Sequence, residues 1–153
     1  MRTNNEPADP NGALKRFVEN DAYAASLGIR TTAVGEGTAR CELVLGEGHL
    51  NSAGTAHGGL IFSLADAAFS AASNSHGTLA VAIEASISYF TAKTEGRLIA
   101  EAREVALNSK LATYEIDIRD EGGVPVALFK GTVYRKRQTL DELAELRTQT
   151  SSS

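Results

Sequence analysis

The chain has 153 residues, of which 42% are apolar and 22% charged, and its formal net charge is −4. This length suits one domain with its own hydrophobic core, and the acidic balance leaves no basic stripe for nucleic acid. The sequence has no apolar run of 18 residues for a membrane span and no signal peptide in its polar N-terminus, so we expect a cytoplasmic protein. A single cysteine excludes an internal disulfide, and Cys41 alternates with core positions.

A polar tail and an amphipathic helix open the chain. Residues 1–11 include two prolines, and we expect them to be disordered. At 12–26 the apolar side chains recur with a helical period, which predicts a helix capped by Asn11 and closed by Gly28. We expect a single domain at 12–137, which begins with this helix.

Strands dominate the rest of the domain. Alternation of apolar and polar residues predicts them at 31–45, with a bend or turn at Gly35-Glu36-Gly37, and at 80–90, 97–107, 111–120 and 124–136. Their short connections favour antiparallel pairing. In the C-terminal segment 138–153, the sequence TLDELAELR predicts a short helix before a flexible tail.

The segment at 58–73, GGLIFSLADAAFSAAS, is apolar on nearly every side of a helix, so we predict a central helix that is buried on most of its surface. With the strands it defines an α+β fold, an antiparallel sheet of about five strands wrapped around one helix. The helix carries one carboxylate, Asp66, although burial penalises an ionised side chain. Asp66 is either a structural acid, paired or on a wet strip of the helix, or a general base or nucleophile.

His57-Gly58-Gly59 begins this helix. Glycines at a helix start leave backbone N–H groups free at the positive end of the helix dipole, where they can receive an anion or a polarised carbonyl oxygen. The alternative is a turn whose glycines serve close packing alone, and the motif by itself does not decide between the two. His57 is a candidate general base, but a structural hydrogen bond is commoner at a helix entry.

Gly58 and Asp66 are eight residues apart, which is about 12 Å along one helix. To act together, both must lie within about 3 Å of the same reacting carbonyl. One helix cannot supply both groups, so the second must come from another copy of the chain, with the two helices antiparallel across a two-fold axis. The sequence therefore predicts a site at a dimer interface, and the open edges of the sheet also favour an oligomer.

Other candidate groups are weaker. Asn51 can hold a water or an amide beside the carboxylate, or it can close its own loop as an Asx turn, which the residues alone favour. The histidines form no HxxxH pair, and the chain has no GxSxG, GxGxxG or Walker A pattern. We therefore predict no metal and no other cofactor.

The sequence LNSAGTAHGGLIFSLADAAFSAASNS resembles the signature of the PaaI-type thioesterases, hotdog-fold hydrolases of acyl-coenzyme A (acyl-CoA) named from phenylacetate degradation. ENDAYAASLGI is similar to the opening helix of that family, and GTVYRKR to its last strand. The resemblance implies a hotdog fold and hydrolysis of acyl-CoA, of the phenylacetyl-CoA or hydroxyphenylacetyl-CoA type. It also implies a homodimer, commonly paired into a homotetramer.

Residue roles follow from the resemblance. It implies that the amide of Gly58 polarises the thioester carbonyl, and that Asp66 of the opposite subunit activates water or attacks directly. Asn51 would help to position the water or the substrate. His57 would support the loop that enters the central helix.

Two further residues, Gly59 and Lys110, are candidates for substrate binding. Gly59 belongs to the same HGG motif, and Lys110 lies in ALNSKLATYE, where relatives often have a basic turn that contains glycine. An alternative function is a non-catalytic acyl-CoA-binding or sensor module on the same fold. The full set of Asn51, Gly58 and Asp66 argues against that alternative.

Overall fold

The computed structural model describes residues 6–152, in which a curved antiparallel sheet holds one long helix against its inner face. The helices are α1 (Ala13–Glu19), α2 (Ala22–Ser26), α3 (Gly58–Asn74) and α4 (Leu140–Ser151). The strands are β1 (Arg30–Gly35), β2 (Thr38–Val44), β3 (Thr78–Tyr89), β4 (Arg97–Leu107), β5 (Leu111–Asp120) and β6 (Pro125–Thr139). The strand order across the sheet is β1-β2-β4-β5-β6-β3, and every neighbouring pair is antiparallel.

The predicted α+β fold with a central helix is confirmed, but the sheet has six strands where about five were predicted. The segment at 31–45 is a hairpin, because the chain turns after Gly35 and β1 pairs with β2 from Gly35 and Thr38 onward. Gly37 in this turn has a φ of 75°, a conformation that residues with side chains rarely adopt. The glycines that suggested a bend therefore close a tight turn between two strands.

The predicted helix at 12–26 is helical but divides into two. Asp21 lies between α1 and α2, and its side chain accepts a hydrogen bond from the Ala24 amide at 3.0 Å. This bond caps α2 and competes with continuation of α1. Gly28, just past α2, has a φ of 76°, as expected of a residue that closes a helix.

The cap of α1 differs from the prediction. The Asp9 carboxylate accepts hydrogen bonds from the amides of Leu14 and Lys15, at 3.0 and 3.1 Å. Asn11 instead donates from its side chain to Asp141 of α4, so its prediction as the helix cap is wrong. An aspartate suits this place better, because a negative charge is stabilised at the N-terminus of a helix.

The core lies between α3 and the inner face of the sheet. Its fully buried side chains include Cys41, Leu64, Leu98 and Ile116. Phe69 of α3 packs against Tyr114 and Phe129, with ring centroids 5.8 and 5.5 Å away. A Cβ at Gly131 would lie 2.6 Å from the Phe69 ring, so only glycine on β6 allows this contact. These contacts fix the position of α3 on the sheet.

The C-terminal helix is longer than the sequence predicted. α4 extends past TLDELAELR to Ser151, with a capping box at its start. There the Thr139 hydroxyl accepts a hydrogen bond from the Glu142 amide, and the Glu142 carboxylate accepts one from the Thr139 amide. Residues 1–5 of the expected disordered tail, and residue 153, lie outside the described residues.

Candidate active site

His57 caps the start of α3. It has a ψ of 133°, and its Nδ1 accepts a hydrogen bond from the Gly59 amide at 2.8 Å. Its carbonyl oxygen accepts hydrogen bonds from the amides of Leu60 and Ile61. Because Nδ1 is an acceptor, neutral His57 carries its proton on Nε2. His57 therefore makes the structural hydrogen bond that is common at a helix entry.

Gly58 is the first residue of α3, and its amide has no acceptor among the residues that the structure describes. The amides of the next three residues all bond to His57. An unpaired N–H at the positive end of the helix dipole is a ready donor to a developing oxyanion. The first turn of α3 thus presents one available amide, and it belongs to Gly58.

Tyr89, the last residue of β3, contacts this turn. Its hydroxyl donates a hydrogen bond to the carbonyl oxygen of Gly58 at 2.8 Å, although the two residues are 31 apart in the sequence. A Cβ on Gly58 would lie only 3.2 Å from the Tyr89 hydroxyl, so a glycine lets the two residues meet. Nothing in the strand pattern of 80–90 singles out Tyr89, because the contact depends on where β3 ends relative to α3.

Asp66 lies on an open strip of α3. The strip consists of Gly59, Phe62, Asp66 and Ser70, which are spaced by three or four residues and share one side of the helix. Asp66 is exposed in the single chain, while the residues directly before and after it are buried. In one chain Asp66 therefore lies on the solvent-exposed side of the helix, which was one of the alternatives that the sequence left open.

The Asp66 carboxylate has neither an ion pair nor a hydrogen bond within residues 6–152. Although solvent reaches it, surrounding protein atoms displace water, and this desolvation raises the pKa of Asp66 above its ordinary value. The negative charge of Asp21, between α1 and α2, also raises this pKa. An unpaired carboxylate with a raised pKa is better suited to accept a proton than one held in an ion pair.

A cavity of about 340 Å³ adjoins the open strip. It lies between α1, α2 and α3, and Ala67 and Ser70 form part of its wall on the α3 side. Its apolar lining includes Phe17, Val18, Ala24, Ile29 and Ala71. Asp66 itself is not part of the lining, whose charged residues are Glu19, Asp21, Arg30 and Arg147.

Gly58 and Asp66 do not meet within one chain. α3 is continuous from Gly58 to Asn74, so the eight residues that separate them correspond to about 12 Å along the helix axis. The uninterrupted helix on which the dimer prediction depends is confirmed. One chain therefore cannot bring the Gly58 amide and the Asp66 carboxylate to the same reacting carbonyl.

The side chain of Asn51 closes its own loop. Its Oδ1 accepts hydrogen bonds from the amides of Ala53 and Thr55, at 2.9 and 3.1 Å. Its Nδ2 donates to the Thr55 hydroxyl at 3.1 Å. This is the Asx turn that the residues alone favoured, and a place for Asn51 in catalysis stays a prediction.

Lys110 is exposed in the turn between β4 and β5. The residue after it pairs with Tyr134, which in turn pairs with Val81 near the start of β3. Gly58, in contrast, contacts Tyr89 at the end of the same strand. Lys110 and Gly58 therefore lie at opposite ends of β3, and one chain does not bring them together.

Within residues 6–152, no three His, Cys, Asp or Glu side chains are grouped so that they could hold a metal ion. His49 bonds through its two ring nitrogens to the backbone of Gly46 and Leu27. His76 lies 2.6 Å from Glu104, remote from the start of α3. Residues 6–152 also contain no helix with the length and apolar character of a membrane span.

Comparison with known proteins agrees with this fold and this motif. Residues 53–127 match the family described as the Thioesterase superfamily. A protein of Archaeoglobus fulgidus is 51% identical over 118 residues, which are 76% of this chain and 77% of that protein. Acyl-coenzyme A thioesterase PaaI of Escherichia coli is 36% identical over 118 residues, 76% of this chain and 84% of that one.

The solved structure of the E. coli PaaI protein from the phenylacetic acid degradation operon also superimposes on this chain. The TM-score is 0.79 at 36% sequence identity, and the match covers 82% of this chain and 91% of that chain. The chain thus belongs to the thioesterase superfamily, as a hotdog-fold member of the PaaI type, and is by class a thioester hydrolase.

Proposed function

We propose that the protein hydrolyses acyl-CoA thioesters to a free acid and coenzyme A, in sites that two copies of the chain build together. The proposal is carried by one observation, the unpaired amide of Gly58 and the unpaired carboxylate of Asp66 on a single helix. Thioester hydrolysis needs a donor at the carbonyl oxygen and a base at the attacking water, each within about 3 Å of the reacting group. Two antiparallel copies of α3 meet that requirement twice.

A second copy of the chain covers β3 in this proposal. β3 is an edge strand, and residues 81–86 are exposed on both of its faces. Ile83 is 59% exposed, and Phe90, just past the strand, is 57% exposed. A long apolar edge strand tends to pair with another chain unless something covers it. Antiparallel pairing of two β3 strands would set the two α3 helices side by side in opposite directions, as the site requires.

In this dimer the Gly58 amide donates to the thioester oxygen as negative charge develops on it. Asp66 of the partner subunit removes a proton from the attacking water, or attacks the carbonyl carbon itself. Collapse of the tetrahedral intermediate breaks the C–S bond and releases the thiolate of coenzyme A. With water as the nucleophile this step also yields the free acid, whereas direct attack leaves an anhydride between the acyl group and Asp66, which water then hydrolyses to the acid and the carboxylate. An oxyanion donor of this kind contributes roughly 3–4 kcal/mol to the stability of the transition state.

The other candidate residues take supporting places. One hydrogen of the Asn51 Nδ2 is left to hold a water, since the Thr55 hydroxyl engages the other. His57 holds the first turn of α3. The Gly59 amide already donates to His57. Gly59 would therefore contact the substrate through a backbone without a side chain and would not act as a hydrogen-bond donor. Lys110, remote from the Gly58 of its own chain, would serve CoA phosphates bound across the dimer.

For the acyl group we propose an aryl-acetyl type, phenylacetyl or hydroxyphenylacetyl. The likeness to E. coli PaaI supports this choice, and the cavity of about 340 Å³ beside the open strip presents apolar side chains on part of its wall. The steps above use only water and side chains or amides of the protein. A homotetramer built from two such dimers, and a cytoplasmic location, complete the proposal.

The test measures thiol release from phenylacetyl-CoA and a panel of other acyl-CoA thioesters. Asp66→Asn should stay folded and oligomeric but hydrolyse more slowly by orders of magnitude. Asp117→Asn, which changes a carboxylate of β5 between two buried isoleucines, is the matched control and should keep full activity. Wild-type protein that hydrolyses none of the thioesters would contradict the proposal, and tight binding without thiol release would indicate a sensor module.

A further inference from the structure

The first turn of α3 contains the two residues of the helix with the greatest backbone freedom. Gly58 carries the amide that the proposed function uses, and Gly59 follows it directly. Glycine has no Cβ to restrict its φ and ψ angles, and the end of a helix lacks half of its internal hydrogen bonds. The amides of Leu60 and Ile61 hold the His57 carbonyl from within the turn, and anchors from outside the turn restrict the glycines further.

Two side chains anchor the peptide group between these glycines from opposite sides. The Tyr89 hydroxyl donates to its carbonyl oxygen at 2.8 Å, and His57 Nδ1 accepts from its N–H at 2.8 Å. The next carbonyl, that of Gly59, accepts a hydrogen bond from the Ser63 hydroxyl at 2.8 Å. The peptide that follows the Gly58 amide is thus held at both polar atoms, while that amide alone stays unpaired in the described first turn.

We propose that Tyr89 is a positioning residue for the Gly58 amide, an inference that rests on the proposed function. By holding the Gly58 carbonyl, Tyr89 restricts rotation of the Gly58 backbone and so keeps this residue in the conformation that presents its N–H before substrate arrives. Oxyanion donors are effective because they need no reorganisation during the reaction. The loss of this anchor should therefore slow the chemical step more than it weakens substrate binding.

The place of Tyr89 also connects this amide to the proposed dimer interface. Tyr89 ends the exposed edge strand β3, and its side chain is 50% exposed in the single chain. The residue that anchors the donor thus belongs to the strand that the partner subunit is proposed to cover. The Gly58 amide is thus anchored from the proposed interface strand, although the Tyr89 hydroxyl bonds within its own chain.

If this hydrogen bond only ties β3 to α3, its loss should lower the melting temperature and the dimer content together with kcat. Tyr89→Phe deletes the hydroxyl and keeps the ring against Gly58. A positioning role predicts kcat lower by about threefold to tenfold, the effect of one hydrogen bond. KM, the melting temperature and the oligomeric state should match wild type. Tyr134→Phe is the matched control. Tyr134 lies on β6 and is 43% exposed, and loss of its hydroxyl should change none of these values.

The experiment combines kinetics on phenylacetyl-CoA with amide hydrogen exchange of Gly59 measured by NMR on substrate-free protein. We expect Tyr89→Phe to lower kcat and to speed exchange of the Gly59 amide. Wild-type kcat in this variant, or a fall in kcat matched by falls in melting temperature and dimer content, would overturn the inference. A wild-type protein without thioesterase activity would refute the proposed function instead, and unchanged Gly59 exchange would still count against the anchor.

Discussion

The Nδ1 atom of His57 accepts the amide hydrogen of Gly59 at 2.8 Å, and this bond begins α3. His57→Ala removes the cap and should lower the free energy of unfolding by about 1 kcal/mol, the usual cost of a lost N-cap. Hydrolysis should fall as well, because the turn that carries the Gly58 amide loses an anchor. Urea denaturation and kcat are the measurements.

His57→Asn is the control for this prediction. Its side-chain oxygen can accept the same amide hydrogen, and asparagine is a preferred N-cap residue. It should therefore keep more stability than His57→Ala. Equal stability of wild type and His57→Ala would show that the cap contributes nothing measurable to α3.

The raised pKa of Asp66 makes a prediction about stability and pH. Desolvation and the charge of Asp21 raise this pKa in the folded chain above its unfolded value, so folding disfavours the ionised form. The stability that Asp66 contributes is complete below the unfolded pKa and is lost as pH rises through the folded pKa. Asp66→Asn cannot ionise and should melt at a higher temperature than wild type at neutral pH.

The same comparison at low pH is its own control. Well below the ordinary aspartate pKa of about 4, both proteins are neutral at residue 66 and their melting temperatures should converge. A difference in melting temperature that stays constant from acid to neutral pH would refute the role assigned to the charge. In kinetics, wild-type hydrolysis should decline with falling pH at a higher pH than an ordinary aspartate would give.

The exposed edge strand predicts how the oligomer can be broken. Ile83→Lys places a charge on β3, where the second copy is proposed to pair, and should yield monomers. Hydrolysis should disappear with the dimer, because each site needs two chains. Light scattering coupled to size-exclusion chromatography, with activity of each fraction, tests both effects.

Val44→Lys is the matched control for Ile83→Lys. Val44 is 58% exposed, but it lies on β2, three strands away from β6 and four from β3 in the sheet order. Its replacement should leave dimer and activity intact. An active monomer of Ile83→Lys would contradict the shared site, and a stable dimer of that variant would contradict the proposed interface.

A polar network of Glu104, His76 and Tyr114 lies near the C-terminal end of α3. The Glu104 carboxylate accepts hydrogen bonds from His76, at 2.6 Å, and from the fully buried Tyr114 hydroxyl. Burial and the neighbouring Glu104 raise the pKa of Tyr114, so its hydroxyl keeps the proton that it donates. Tyr114→Phe should lower the free energy of unfolding by about 1.5–3 kcal/mol, the range for hydrogen bonds to charged groups.

Tyr134→Phe serves as the control for Tyr114→Phe, since its hydroxyl is on an exposed side chain of β6. Its effect on the free energy of unfolding should stay within about 0.5 kcal/mol. Denaturant titration of both variants makes the comparison. A similar small effect for Tyr114→Phe would mean that the Glu104 network does not stabilise the fold.

The sequence was most informative where the pattern was local. The central helix was predicted at 58–73 and spans Gly58–Asn74, because the HGG turn before the apolar run and the residues NSHG at 74–77 after it mark both ends. The hairpin at Gly37 was predicted only as a bend or turn within 31–45. Composition alone does not reveal the positive φ of Gly37 that reverses the chain there. Asp21 divides the N-terminal helix. Aspartate is a common cap residue, but the apolar side chains before and after Asp21 continue one helical repeat, so the sequence predicted a single helix.

The candidate site was predictable in part for the same reason. Gly58 and Asp66 belong to one helix, so helical geometry alone fixed their separation. Tyr89 was missed because its contact with Gly58 joins residues 31 apart. Lys110 was named from its turn, but only the strand register reveals that it lies at the other end of β3 from Gly58 in its own chain.

Two inactive variants can test whether the site is shared between chains. Gly58→Pro deletes the amide hydrogen, and proline is well tolerated at the first position of a helix. The residue before it, His57, already has the extended backbone that a following proline requires. Gly58→Ala keeps the amide hydrogen while adding a Cβ, so it separates loss of the donor from crowding against Tyr89.

The most direct measurement mixes Gly58→Pro and Asp66→Asn chains, unfolded together and refolded at equal amounts. Half of the dimers then contain one chain of each kind, and each of these has one site with an intact Gly58 amide and an intact Asp66. We predict recovery of about one quarter of wild-type activity from two proteins that are each nearly inactive. Activity no greater than the sum of the two separate variants would contradict a site built from two chains.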